Sequence, residues 1–166
     1  RMVGAVNGTT LNWDPSPPTG APLSINQGQI AEFKAAGPFR VKSQDPQHPF
    51  YMSAHMTGGS ETSNRGDPEF VNVIPPQQYL KSYVFFTDPT YSETNLVVVR
   101  AKNGSAFSDV SLDCKGTLTG WQPVGSAGKY AYTQVDLVTG NFAKVGNCDN
   151  GRHEIKSDLP FGVTVW

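Results

Sequence analysis

"SYVFFTDPTYSETNLVVVRA" (residues 82–101) sets two apolar runs, YVFFT and NLVVVRA, on either side of a polar turn. Each run is too short for a buried helix and is rich in β-branched and aromatic residues, so each reads as a β-strand. Because the runs are continuous rather than alternating, both are expected to be central strands buried on two faces. Around them lie shorter alternating stretches. "GQIAEF", "PFRVKS", "FYMSAHM", "FVNVI", "SDVSLDC", "KYAYTQVDLV", "GRHEIKSD" and "FGVTVW" all read as strands, and "PPQQYLKS" holds at most one helical turn.

Composition agrees. Charged residues make up 16% of the 166-residue chain, and there are 17 Gly and 13 Pro. Charged residues usually make up about 25% of a globular chain. Many breakers and few charges indicate an all-β chain with many turns. The formal net charge is −1 and Lys/Arg residues form no run, which argues against a nucleic-acid binder and a polybasic membrane surface. No apolar run approaches the roughly 20 residues of a membrane-spanning helix, so no membrane insertion is expected. Both ends, "RMVGAVNGTT" and "PFGVTVW", read as strands. The chain is therefore expected to be a piece of a longer polypeptide.

The two cysteines, Cys114 and Cys148, lack the short spacings of a zinc site. Two buried thiols or one disulfide are the alternatives, and the disulfide is the expectation. Closing that loop would contribute roughly 3–4 kcal/mol in the chain-entropy model and imply an oxidising compartment.

An internal repeat is expected. "AVNGTTLNW" parallels "AKNGSAFSDVSL", each with an Asn-Gly hairpin turn, and "PFRVKSQDPQHPFYMS" parallels "RHEIKSDLPFGVTV". The polar stretch "TGGSETSNRGDP" (57–68) reads as the joint. The expected architecture is two tandem β-sandwich-like units, jelly-roll or Ig-like, with little helix. The first spans 1–60 and is N-terminally truncated; the second spans 61–166 and carries the disulfide.

"GDPEFVNVIPPQQYL" (66–80), the stretch quoted first, "LDC" (112–114), "FGVTVW" (161–166) and the "PF-x-V-x-S" phrase in 38–55 resemble the IgGFc-binding domain family. The likeness is to the later part of that domain, and the undecorated loops resemble bacterial members. The resemblance implies a secreted or cell-surface context and a role in binding and adhesion. It transfers no binding residues and no catalytic motif.

Candidate sites come from the residues themselves. Arg65-Gly66-Asp67 spells an integrin signal, but Pro68 restricts Asp67, so the stretch reads as a turn into the next strand. "HPFYMSAHM" (48–56) has the His and Met of copper sites. Strand alternation, however, puts Met52 and Met56 opposite His55, the pattern of a core strand. "CDNGRHEIKSD" (148–158) offers Asp149, Asn150 and Glu154 for Ca²⁺, and His153 as the sole passable catalytic base. The plainer reading there is a turn pinned by Cys148. Trp13, Trp121, Tyr130 and Tyr132 are candidates for stacking on sugar rings; Tyr91 also lies in a loop. Tyr130 and Tyr132 share a strand face with Gln134 and Asp136. Asn7-Gly8-Thr9 and Asn103-Gly104-Ser105 match glycosylation sequons.

The expected function is a non-catalytic extracellular module of a larger secreted or cell-surface protein, binding a protein or glycan at a cell or mucus surface. No cofactor is expected, with Ca²⁺ the sole candidate. A hydrolase centred on His153 and a stalk or filament subunit are the competing readings.

Overall fold

The computed structural model describes residues 1–56 and 69–166. Among these the chain is all-β, with no α-helix and a 3₁₀ turn at Pro76–Gln78. Contacts divide it into two compact units, Arg1–Val73 and Ile74–Trp166. The expected boundary at 60/61 lies outside the described residues, as does Arg65-Gly66-Asp67. The division follows Val73 because the strand Phe70–Asn72 pairs with Phe50–His55 and so belongs to the first unit.

The first unit holds β1 (Met2–Gly4), β2 (Thr9–Asp14), β3 (Ser24–Ile25), β4 (Ile30–Ala31), β5 (Arg40–Ser43), β6 (Phe50–His55) and β7 (Phe70–Asn72). One sheet runs β4-β1-β6-β7 and the other β3-β2-β5, with antiparallel pairing between the named strands and a parallel bridge from Gly4 to Gln27. The alternation in "TTLNW" buries Thr9 and Leu11 and exposes Thr10 and Asn12. Met2, Leu11 and Ile25 form the buried core, with Trp13, Phe33, Val41, Phe50 and Met52 packed against them. Gly4 can carry no side chain, because a Cβ there would lie 2.2 Å from the Asn26 carbonyl oxygen.

The Asn7-Gly8 turn does not close the hairpin expected of it. β1 pairs with β4 and β6, whereas β2 pairs with β3 and β5, so this turn carries the chain from one sheet to the other. Its polar groups bind another turn instead of flanking strands. Asn26 Oδ1 accepts from Gly8 N–H at 2.9 Å and Asn7 Oδ1 accepts from Gln27 N–H at 3.1 Å. Asn103, by contrast, closes a tight turn on Ala106 through two backbone hydrogen bonds.

The second unit holds β8 (Leu80–Thr87), β9 (Thr94–Ala101), β10 (Val110–Leu112), β11 (Gly116–Thr117), β12 (Gln122–Val124), β13 (Tyr130–Thr139), β14 (Ala143–Lys144) and β15 (Gly151–Val165). The sheet order is β11-β10-β15-β9-β13-β12, with β8 beside β15 and β14 beside β13. "GRHEIKSD" and "FGVTVW", expected as two strands, are one. The first half of β15 pairs with β10 and β8, and its second half pairs with β9. Its register with β8 shifts between Lys156 and Phe161, around Pro160, which has no N–H to give the ladder. That one strand joins two sets of partners and curls the sheet around a core of Leu96, Val98, Leu112, Leu137, Ile155 and Phe161.

The two opening runs part company. In NLVVVRA, Leu96 and Val98 are fully buried and Val97 and Val99 half-buried, as a central strand requires. In YVFFT, Tyr83 and Phe85 face the core, but Val84 is 61% and Phe86 68% exposed. β8 pairs on one side only, with β15, and its outward face has no cover among the described residues. Hydropathy cannot distinguish a central strand from an edge strand that carries apolar residues outward.

Candidate functional site

The most constrained cluster in the second unit is built around its disulfide. Cys114 follows β10, Cys148 precedes β15, and the two are bonded with their Cα atoms 4.9 Å apart. Cys148 is buried against the core and Cys114 packs on it. His153 sits inward on β15 and is 6% exposed. Its Nδ1 lies 3.0 Å from Asp113 Oδ1 and its Nε2 2.7 Å from the Asp149 carbonyl oxygen. The imidazole therefore bridges the residue before one cysteine to the residue after the other.

Further hydrogen bonds hold this bridge. Asp113 also accepts from the backbone N–H groups of Glu154 and Cys114, at 2.9 and 2.7 Å. Burial works against ionisation of Asp113, but the hydrogen bonds from His153, Glu154 and Cys114 outweigh it and hold the carboxyl below its ordinary value. Asp149 is held low by the Lys144 ammonium at 2.6 Å and by the Asn150 N–H. The other face of His153 meets the Phe85 ring, centroids 5.6 Å apart.

This geometry engages Asp149, Asn150 and His153 in contacts within the fold. Both ring nitrogens of His153 are engaged by acceptors, so neither is presented to a substrate. Asp113, Cys114 and His153 bring ligand atoms within 4.8 Å of one another, but the Cys114 sulfur is spent in the disulfide and offers no thiolate. Of the calcium candidates, Asp149 is paired with Lys144. Asn150 Oδ1 accepts from Thr94 Oγ1 at 2.7 Å, and Glu154 lies 3.8 Å from Arg152 on the outward face. In the first unit, Met52 packs in the core while His55 stacks on Phe70 at 5.1 Å on the opposite face, as alternation requires.

The aromatic candidates divide. Trp13 donates to the Pro22 carbonyl at 3.0 Å and packs among Phe33 and Phe39. Trp121 donates to the Leu118 carbonyl at 2.9 Å, packs on the core, and carries the Arg100 guanidinium 3.9 Å above its ring. Both indoles are committed within the fold. Tyr130 and Tyr132 instead lie half-exposed on the outward face of β13, with Gln134 and Asp136 beyond them. Tyr132 sits opposite Gln122 and borders a groove of about 340 Å³ with Gln122, Gln134 and Lys115.

Sequence reading did not single out Tyr79, which lies against Gly162 in the second half of β15. A Cβ at Gly162 would come 2.5 Å from its ring, so any side chain there must displace the tyrosine. Burial pushes the Tyr79 hydroxyl up to about 12, with Tyr130 and Tyr83 adding to the shift. The "FGV" phrase marks the glycine, but only the fold names its partner.

The fold is all-β and is stapled by one disulfide whose flanking residues the buried His153 bridges. The chain belongs to the IgGFc binding protein family, whose sequence profile matches residues 1–166. No curated protein and no solved structure matches it. Among the described residues no helix is long and apolar enough to cross a membrane.

Proposed function

We propose that this chain is a non-catalytic binding module of a larger secreted or cell-surface protein, acting in adhesion through a protein or glycan ligand. The observation that carries the reading is family membership over the whole chain. The disulfide supports an oxidising, extracytoplasmic setting. Of the four aromatic candidates, Tyr130 and Tyr132, on the outward face of β13, offer more surface for contact than Trp13 or Trp121.

The two units are proposed to be copies of one β element. The corresponding pairings Asn12–Lys42 and Ser111–Lys156 support this, as do Met2–Met52 and Val98–Val163. An array of glycans, mucins and extracellular proteins tests the function, with a ligand weakened by Tyr130→Ala/Tyr132→Ala expected. Absence of any ligand, together with esterase activity abolished by His153→Ala, would overturn it.

A further inference from the structure

The end of β9 carries a cluster of cations that the cores and the disulfide do not use. The Phe107 ring meets two of them, Arg100 at 4.7 Å and Lys102 at 5.2 Å, and Tyr130 meets a third, Lys129, at 5.7 Å. Arg100 is built in: it stacks on Trp121, donates to the Ser108 carbonyl at 3.1 Å, and lies 4.0 Å from Asp109. The two lysines are different. Among the described residues no carboxylate comes within ion-pair distance of either ammonium.

Both lysines border one open cleft of about 490 Å³, whose remaining lining is Gly104, Ser105, Ala127 and Gly128. Two turns build it. The Asn103–Ala106 turn bends at Gly104 and the loop before β13 bends at Gly128, both in the left-handed region (φ 62° and 61°) where glycine is favoured. Apart from the two lysines the lining is small, Gly, Ser and Ala, so no bulky side chain stands between the two cations. The rings of Phe107 and Tyr130 draw the lysines onto their faces and limit their motion.

From this we infer that the cleft binds a sulfated or carboxylated sugar chain, with Lys102 and Lys129 as the anion contacts. The inference rests on the binding-module reading and names the ligand class for it. The volume lies in the roughly 300–1,000 Å³ range of ligand sites, and a cleft open to solvent and lined by small residues has room for a sugar chain that stays partly hydrated. Ammonium groups act as point charges for single anionic groups. The guanidinium fork that matches phosphate bidentately is present only in Arg100, where it is already stacked and bonded. A nucleic acid is disfavoured because the chain is net −1 and its Lys/Arg residues form no run.

The test is titration of the full chain with a heparin-derived octasaccharide and with the same oligosaccharide desulfated and neutralised, at low and physiological salt. The wild type is expected to bind the sulfated form, more weakly as salt rises. Lys102→Gln and Lys129→Gln are each expected to weaken binding about five-fold, and the double variant more than ten-fold. The control pair Lys42→Gln/Lys156→Gln should have no effect, and thermal melts should be unchanged throughout. Wild-type affinity in the double variant, equal loss in the control pair, equal binding of the neutral oligosaccharide, or no binding at low salt would each overturn the inference. If instead a protein or neutral glycan binds on the array, the module reading stands without this site.

Discussion

The two units, proposed as copies of one element, stabilise themselves differently. In the first, Trp13 faces Val41 and Met2 faces Met52; in the second, Leu112 faces Ile155 and Val98 faces Val163. Among the described residues, three buried apolar side chains anchor the first core and eleven the second. The first unit connects β5 to β6 through a turn in which Asp45 accepts from His48 and from Gln47 N–H. The second runs straight through as β15 and is held by the disulfide and His153. The two cores differ in size among the described residues. The second unit gains its core from the long strand β13 and from β8, which have no counterparts of that length in the first.

The largest effect should come from the second core. Phe161 is fully buried and meets the Tyr83 ring at 5.1 Å, so Phe161→Ala should cost about 3–5 kcal/mol in denaturant unfolding. Hydrogen exchange should show the loss in 74–166 and spare the strands of 1–56; equal loss in both would break the comparison. Removing the disulfide with Cys114→Ser/Cys148→Ser should cost about 2–5 kcal/mol, again in the second unit. Unchanged unfolding would mean that the His153 bridge alone suffices.

Gly162→Ala should cost about 1–3 kcal/mol by pushing Tyr79 off β15. Gly162→Ala combined with Tyr79→Ala should restore part of that, and a double variant no better than the single would refute the contact. The smallest effect is on acid stability. The Asp113 carboxyl is lowered in the folded state, so its contribution is full above its ordinary value near 3.8 and is lost as pH falls through the folded value. Melting temperature measured from pH 6 to 2.5 should therefore fall less steeply in Asp113→Asn than in wild type. Parallel curves would show that the carboxylate contributes nothing.

Much of this was legible locally. Alternation in "KYAYTQVDLV" placed Tyr130 and Tyr132 outward with Gln134 and Asp136, as β13 has them. The same rule separated Met52 from His55. With two cysteines, the only intrachain disulfide available was the one found. The Asn7-Gly8 and Asn103-Gly104 turns were visible too, but not their roles, because a turn's residues do not say whether its flanking strands pair with each other or with strands elsewhere.

Amino-acid order alone determined the all-β class, the inward and outward faces of the alternating strand β13 and the disulfide partners, since each depends on period-two patterning or on a count. Only the tertiary structure decided that Phe86 is exposed while Val98 is buried, that β15 serves two sets of partners, and that His153 spans a disulfide. It also decided that Trp121 is covered by Arg100 and that Lys102 and Lys129 share a cleft. These outcomes depend on which strand lies alongside which, and those partners are separated by tens of residues. His153 and Asp113, 40 apart, meet through β10–β15 pairing, which no local pattern encodes.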